Sequence, residues 1–308
     1  LQRLKLKKKK RRKKMNSLLH NARRRCTQTK EKLFSSLVRD GFKQVPCPKQ
    51  GNNYYFKDNG GKILLVAHAD TVRQARKFGT RDGMMFSPML DDRLGVAIVV
   101  DMLPSLLSAP VDILITDDEE VANSSALSFV SKGYNWIAEF DRGGGDVVTY
   151  GIESDKWLER LETSGFFVGE GIYSDICDID DTCCMVNVGV GYQKYHSMKA
   201  YADTQVAESN IARFIKFFDA QKDVWFEAER MKTSATFGKW DDDEWWEENK
   251  AYSYPCYGCN GPADDFFIYN GDEVPMCEYC ASMTHAEWAG VSSDPINETP
   301  LQFEKFVH

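Results

Sequence analysis

Five short segments of this chain place acids and histidines where an apolar run ends or a helix begins. LLVAHAD carries His68 and Asp70, and SPMLDDRLG carries Asp91 and Asp92. ILITDDEE carries Asp117, Asp118, Glu119 and Glu120; AEFDRGG carries Asp141; GYQKYHS carries His196. Imidazole and carboxylate are the groups that bind zinc and similar divalent ions, and two ions held close together need a carboxylate to bridge them. Water shared by such a pair is acidified toward neutral pH. A carboxylate that is not a ligand must then accept the proton and pass it to the leaving group. Adjacent residues project in different directions, so of Glu119 and Glu120 one can face metal while the other faces water. Singly, each segment has a commoner role: a hydrogen-bonded His-x-Asp pair, first-turn helix acids, a solvated acidic loop. Together they point to metal-assisted hydrolysis.

Such a constellation requires elements that aim it at one place. Residues 27–42 read as a helix with Phe34, Leu37 and Val38 on one face. NYYFK and KILLVAH read as two strands of a hairpin turned by Asp58-Asn59-Gly60-Gly61. Residues 71–90 read as loop, and 92–108 as an apolar helix bent or ended near Pro104. VDILIT (111–116) is a short buried strand and 125–133 a helix. Residues 137–141, 146–150 and 185–191 read as strands, and 154–163 as a helix. Residues 202–220 form a long amphipathic helix, with Val206, Ile211, Phe214, Ile215 and Phe218 at the 3.6-residue period. Strands alternating with helices predict an α/β fold, a three-layer αβα domain with a central mixed sheet. In open sheets of this kind, sites lie at the carboxyl ends of strands.

The ordered set H-x-D, D-D-R-x-G, E-E, D and Y-H-S, over roughly residues 55–220, resembles the dinuclear zinc exopeptidases. These include leucyl aminopeptidases, tetrahedral aminopeptidases, and related carboxypeptidases and deacylases. The resemblance implies that His68 and Asp141 hold one zinc, Glu120 and His196 the second, and Asp91 bridges. It implies Glu119 as general base, Asp70 as the carboxylate orienting His68, a cis Asp91–Asp92 peptide, and Ser174-Asp175 as a supporting element. Cobalt or manganese are alternative catalytic metals. Only 22 residues separate His68 from Asp91 and 54 separate Asp141 from His196. Neither gap has room for the inserted domains of the larger branches, so the catalytic core is minimal. The activity implied is first that of an aminopeptidase acting on peptide or aminoacyl substrates. A carboxypeptidase, deacylase or amidase on the same site is the alternative, and a non-catalytic interaction protein a third.

The paired cysteines Cys256, Cys259, Cys277 and Cys280 form C-x2-C, seventeen residues, C-x2-C. This is the spacing of a zinc ribbon holding one structural zinc, with a hairpin turned at Asn270-Gly271 between the pairs. The remaining five of nine cysteines show no disulfide framework, which fits reduced thiols and a cytoplasmic setting. Residues 1–14 hold ten of the 39 basic residues and read as a disordered tag or leader before Met15. The remainder carries 29 bases against 46 acids, a net charge of −17. That balance argues against nucleic acid as a partner, and no apolar run reaches the length of a membrane span. A homo-oligomer stays open. The expected organisation is a catalytic domain over 15–238, an acidic Trp-rich linker over 239–252, the ribbon over 253–284 and a tail over 285–308.

Overall fold

The computed structural model describes residues 18–229 and, in a second compact unit, two strands. In the first unit, β1 (Lys43–Cys47) and β2 (Asn52–Lys57) form an antiparallel hairpin. β2 pairs antiparallel with β6 (Asp112–Thr116). Next to it, β3 (Ile63–His68), β7 (Trp136–Arg142) and β9 (Met185–Gly189) continue the sheet in parallel, and β8 (Val147–Val148) closes it antiparallel to β9. The result is a mixed seven-stranded sheet, order β1-β2-β6-β3-β7-β9-β8, in an α/β fold. The four parallel strands all end on one edge.

Strand alternation divides the core. Ile63, Leu65 and Ala67 of β3, with Trp136, Ala138 and Phe140 of β7, face a layer of helices. That layer comprises α1 (18–26), α2 (Lys30–Arg39), α3 (Leu90–Val96), α4 (Asp155–Thr163) and α5 (Thr204–Gln221). Trp136 sits in its middle, against Trp157, Phe214, Phe217 and Phe218, with ring centroids 5.7, 5.9, 5.4 and 6.0 Å away. Leu64, Val66, Leu114, Ile137 and Met185 face the other way, under Ala126, Phe129, Ile152, Ile176 and Ile179. This second cover comes from loops and 3-10 turns at Ser125–Ser128 and Asp175–Cys177. Both faces are therefore buried, as the apolar runs of β3 and β6 require, but by unlike layers.

Several local expectations are corrected. β2 and β3 do not form a hairpin: β6 lies between them. The real hairpin is β1–β2. A strand buried on both faces, like β3, is satisfied by parallel neighbours, and the Asp58–Gly61 segment serves as a crossover. Its amides at Asn59 and Gly61 donate to the buried Asp112 carboxylate at 2.9 and 2.8 Å. Residues 125–133 are not a helix beyond one 3-10 turn. Phe129 is extended and packs edge-on to Tyr54 and against Phe56 (5.6 and 5.4 Å), so tertiary packing overrides local propensity.

Residues 71–90 contain β4 (Gly79–Arg81) and β5 (Met84–Phe86). With β10 (Tyr192–Gln193) and β11 (Tyr201–Asp203) these build a separate four-stranded sheet in order β10-β11-β5-β4. α1 was also not anticipated. Its arginine-rich sequence hides a wholly buried Arg25, whose guanidinium bonds Asp101 at 2.7 and 2.9 Å and Ser36 at 2.9 Å.

In the second unit, β12 (Asp265–Tyr269) and β13 (Asp272–Met276) pair antiparallel, with Tyr269 opposite Asp272. The four paired cysteines, the Asn270-Gly271 turn, the 239–252 linker and residues 1–14 lie outside the described residues. Among the described residues, no helix is long and apolar enough to cross a membrane.

Asp112 also accepts from the Tyr134 hydroxyl at 3.0 Å and pairs with Lys132 at 2.6 Å. Asp112→Ala strands two buried donors, the Gly61 amide and the Tyr134 hydroxyl, and is expected to cost about 3 kcal/mol, since each orphaned polar group costs roughly 1–3 kcal/mol. Urea unfolding should show a lower midpoint at unchanged slope.

Candidate metal centre

His68 ends β3, Glu119 and Glu120 follow β6, and Asp141 lies near the end of β7. Asp91 opens α3, and His196 lies in the loop between β10 and β11. The parallel run of β6, β3 and β7 brings these chain-distant groups together. His68 Nε2 is 3.3 Å from Asp91 Oδ1, 3.4 Å from Asp141 Oδ1 and 3.9 Å from Glu119 Oε2. His196 Nε2 is 3.1 Å from Asp91 Oδ2 and 2.7 Å from Glu120 Oε2. The two oxygens of Asp91 thus face different imidazoles. All six candidate residues converge on one cleft, and the Asp91–Asp92 peptide is cis.

The donor set fits divalent metal. His68 Nε2 is buried and has no hydrogen-bond partner, and neither does Glu120 Oε1. A buried imidazole nitrogen without a partner is costly. His68 Nδ1 lies 3.3 Å from Asp70 Oδ1. An Nδ1–H donated there leaves the Nε2 lone pair aimed among carboxylate oxygens, where a cation would answer it. Ligand-type atoms of His68, Asp91 and Glu120 lie mutually within 4.8 Å, as do those of His68, Asp92 and Asp141.

Asp70 does more than orient a ring. Its oxygens also accept the backbone N–H groups of Glu119 at 3.3 Å and Glu120 at 3.1 Å. One carboxylate therefore fixes a ligand-type histidine and the loop that presents both glutamates. That loop is a 3-10 turn bounded by left-handed Asp118 (φ 61°) and Ala122 (φ 52°). His196 is itself left-handed (φ 60°), and Arg73 Nε donates to its carbonyl at 2.9 Å.

Two side-chain roles, those of Tyr192 and Asp92, escaped the sequence reading. The Tyr192 hydroxyl donates to Asp141 at 2.6 Å and lies 3.2 Å from Asp91. It stands four residues before His196 in the same motif, so its proximity was available as a signal. Asp92 is wholly buried. It accepts the Gly95 amide at 2.8 Å through Oδ1 and leaves Oδ2 unpartnered. A Cβ at residue 95 would come within 2.0 Å of the Phe140 carbonyl, so D-D-R-x-G ends in glycine for want of space. Beneath the cleft, Ser174 donates to the buried Glu139, while Thr116 and Ser124 donate to Asp175, making the Ser174-Asp175 pair part of the floor.

The acidic trio Asp70, Asp117 and Asp118 is a different case. Lys30 pairs with Asp117 at 2.9 Å and Asp118 at 3.4 Å, so the charge there is already answered. Cys26, Cys47, Cys177, Cys183 and Cys184 are free thiols.

Electrostatics mark the cleft as overcharged with acid. Burial, reinforced by Asp141 and other carboxylates against His68, pushes Glu119 up to about 9. Burial likewise raises Asp141 to about 7, with Asp91 adding to it and His68 opposing. At His196 burial opposes the cation, but Asp91 and Glu120 outweigh it and carry the imidazole up to about 10. Asp91 is pulled the other way: His196 and His68 overcome burial and hold it well below the usual carboxylate range.

No family model matches the chain, and no curated protein matches it in sequence. Among solved structures it is similar to the aminopeptidase PepT from Bacillus cereus, at 12% identity over 66% of this chain and 97% of that one, with a TM-score of 0.48. A tripeptidase from Staphylococcus aureus matches at 11% identity over 67% and 98%, TM-score 0.48. The glutaminyl cyclase of Tannerella forsythia matches at 12% identity over 66% and 97%, TM-score 0.46.

Glu119, Asp141 and His196 are all raised, so each stabilises the metal-free fold in its protonated form. That contribution is complete below the ordinary carboxylate and imidazole range and is lost as pH climbs through about 7, 9 and 10. Asp91 is already charged throughout and adds no slope there. With a chelator present, the melting temperature should fall by several degrees between pH 6 and pH 9. Added zinc should shrink or reverse that fall, because ligands bind once deprotonated. A chelated protein with a flat profile contradicts this reading of the cleft.

Proposed function

We propose that this chain is a two-zinc hydrolase that removes residues from the amino end of peptides. The observation that carries it is the unpartnered, buried His68 Nε2 set among Asp91, Asp141 and Glu119, with Asp91 turned toward His196 as well. In this reading His68 and Asp141 would hold one ion and Glu120 and His196 the other, with Asp91, whose two oxygens face different imidazoles, available to both. A divalent pair there supplies Lewis acidity to water and to the scissile carbonyl. Glu119 is the proton carrier: it takes the proton from the attacking water and delivers it to the departing amine. Its position beside His68, without ligand-like contact to His196, suits that task. Asp70 keeps His68 and the Glu119–Glu120 turn in register, and the Tyr192 hydroxyl is placed to donate to Asp141 or to developing oxyanion charge.

Charge balance favours a free amine in the substrate. The cleft, of about 620 Å³, is lined by Asp91, Glu119, Glu120 and Asp141, which two divalent ions would neutralise. Of the remaining charged lining groups, Arg142 is occupied by Asp146 at 2.7 and 3.2 Å, while the exposed Glu170 carries a spare negative charge. A cationic α-amine meets attraction there and a free carboxylate does not. Tyr150, Tyr173, Tyr195 and Ile172 offer apolar surface to a side chain. The paired cysteines Cys256, Cys259, Cys277 and Cys280 would hold a further, structural zinc.

Mass spectrometry under native conditions should count about three zinc ions per chain, two in the cleft and one in a four-cysteine site. A single ion would support a ribbon-bearing interaction protein instead. Glu119→Gln should keep the metal content and lose roughly 10²–10⁴-fold in kcat, the usual worth of a general base. Near-normal turnover removes Glu119 from that role. Acetylating the amine of a good peptide substrate should abolish its cleavage; preferred cleavage of the acetylated form would instead identify a deacylase or carboxypeptidase.

A further inference from the structure

β8 is the outermost strand of the main sheet, but a further segment bonds along it through a single bridge. Beyond it, residues 167–169 run parallel to that strand: Val147 N–H donates to the Phe167 carbonyl at 2.9 Å, and Gly169 N–H donates to the Val147 carbonyl at 2.8 Å. In a parallel pairing of this kind the N–H and C=O of the residue between, Val168, point to the outer side. No described residue bonds them, nor the main-chain N–H and C=O of Glu170. This is an open sheet edge, and such edges take up a further strand.

The edge leads into the cleft. Glu170, Gly171, Ile172 and Tyr173 line the same cavity as Asp91, Glu119, Glu120 and Asp141. Two glycines bring the segment close to its neighbours. A Cβ at residue 169 would lie 2.1 Å from the Asp146 carboxylate, and one at residue 171 would lie 2.8 Å from the Tyr150 ring. Large apolar side chains flank the open groups, with Phe167 74% and Ile172 87% exposed. An unpaired main-chain edge, apolar shoulders and continuity with a hydrolytic cleft together describe a seat for an extended chain.

We infer that residues 168–172 bind the extended main chain of a peptide substrate as an added strand, so that the enzyme acts on oligopeptides in preference to single aminoacyl amides. This rests on the peptidase reading of the cleft. Main-chain pairing is indifferent to side chains, so the preference is for length and backbone integrity. The source of selectivity is the substrate beyond its first residue, where a short amide has nothing to offer.

Two measurements test it. With the zinc-loaded protein, kcat/KM for a tetrapeptide should exceed that for the matching aminoacyl amide by about tenfold or more, the worth of one or two net hydrogen bonds. N-methylation of the tetrapeptide's amides beyond the scissile bond should remove that gain. Independently, hydrogen–deuterium exchange at the Val168 and Glu170 amides should slow severalfold when a tetrapeptide with a reduced, uncleavable first bond is added. Hydrolysis indifferent to length and methylation, or exchange at 168–170 unchanged by saturating peptide, overturns the inference while leaving the peptidase reading intact. Slowed exchange without hydrolysis of any peptide sinks the peptidase reading and leaves the peptide seat standing.

Discussion

Like charges gathered out of water dominate this molecule. Asp91, Glu119, Glu120 and Asp141 share one cleft and, among the described residues, two imidazoles are set directly against them. Carboxylates so close cannot all ionise without a counter-charge, and the raised positions of Glu119 and Asp141 express that conflict. A pair of divalent cations would resolve it. The groups are held together against their own repulsion, and the scaffold is arranged to do so. Three of the ligand-bearing segments leave adjacent parallel strands, β6, β3 and β7, whose interiors are wholly buried. Rigid, close-packed strands spread the repulsion over a large core rather than a flexible loop.

Two of the candidate ligand residues, Asp91 and His196, do not sit on the main sheet at all. The small second sheet joins them. β5 ends five residues before Asp91 and β11 begins five after His196, and the two strands pair antiparallel, Met85 opposite Ala202. Asp91 and His196 are thereby tied through a main-chain ladder as well as through their own contact. Arg73 adds a tether from the same insertion to the His196 carbonyl. The segment between β3 and α3 is therefore neither spare loop nor inserted domain; it is the frame that places the shared carboxylate opposite the second histidine.

How much of this the sequence disclosed depended on range. Ligand-type residues were legible because each sits where an apolar run ends or a helix begins, and β3, β6, β7, β9, α2, α4 and α5 were legible from periodicity. Partnering was not. Asp58–Gly61 has every local mark of a hairpin turn, yet β6 intervenes, since burial on both faces of β3 is a property of the sheet and not of the turn. β4, β5, β10 and β11 are two or three residues each, too short for alternation to register. Arg25 disguised α1, because a buried guanidinium paired with Asp101 looks in sequence like a solvated one. Tyr192 and Asp92 were overlooked for a related reason: one acts through a hydroxyl outside the usual ligand types, the other stands beside a residue that already had a role.

A core without inserted domains must furnish the walls of its own cleft. Here they come from the turn after β7, from Tyr150 and from residues 170–173, none of which belongs to a regular element. The floor, by contrast, is a network of buried side chains in which Ser174 serves one oxygen of Glu139, and Thr116 and Ser124 serve Asp175. Floor and walls meet different demands. The floor is held by buried hydrogen bonds and tolerates little change, since removing one member leaves another without its partner. The walls meet water and are less uniform: the Tyr150 hydroxyl accepts from the buried Asn187 amide at 3.2 Å, while Glu170 and Ile172 serve no buried partner among the described residues. The groups at the strand ends are therefore fixed by a buried network, while the exposed residues between β7 and the 3-10 turn at Asp175 are not, and Glu170 and Ile172 can change at far lower cost than Asp70 or Asp91.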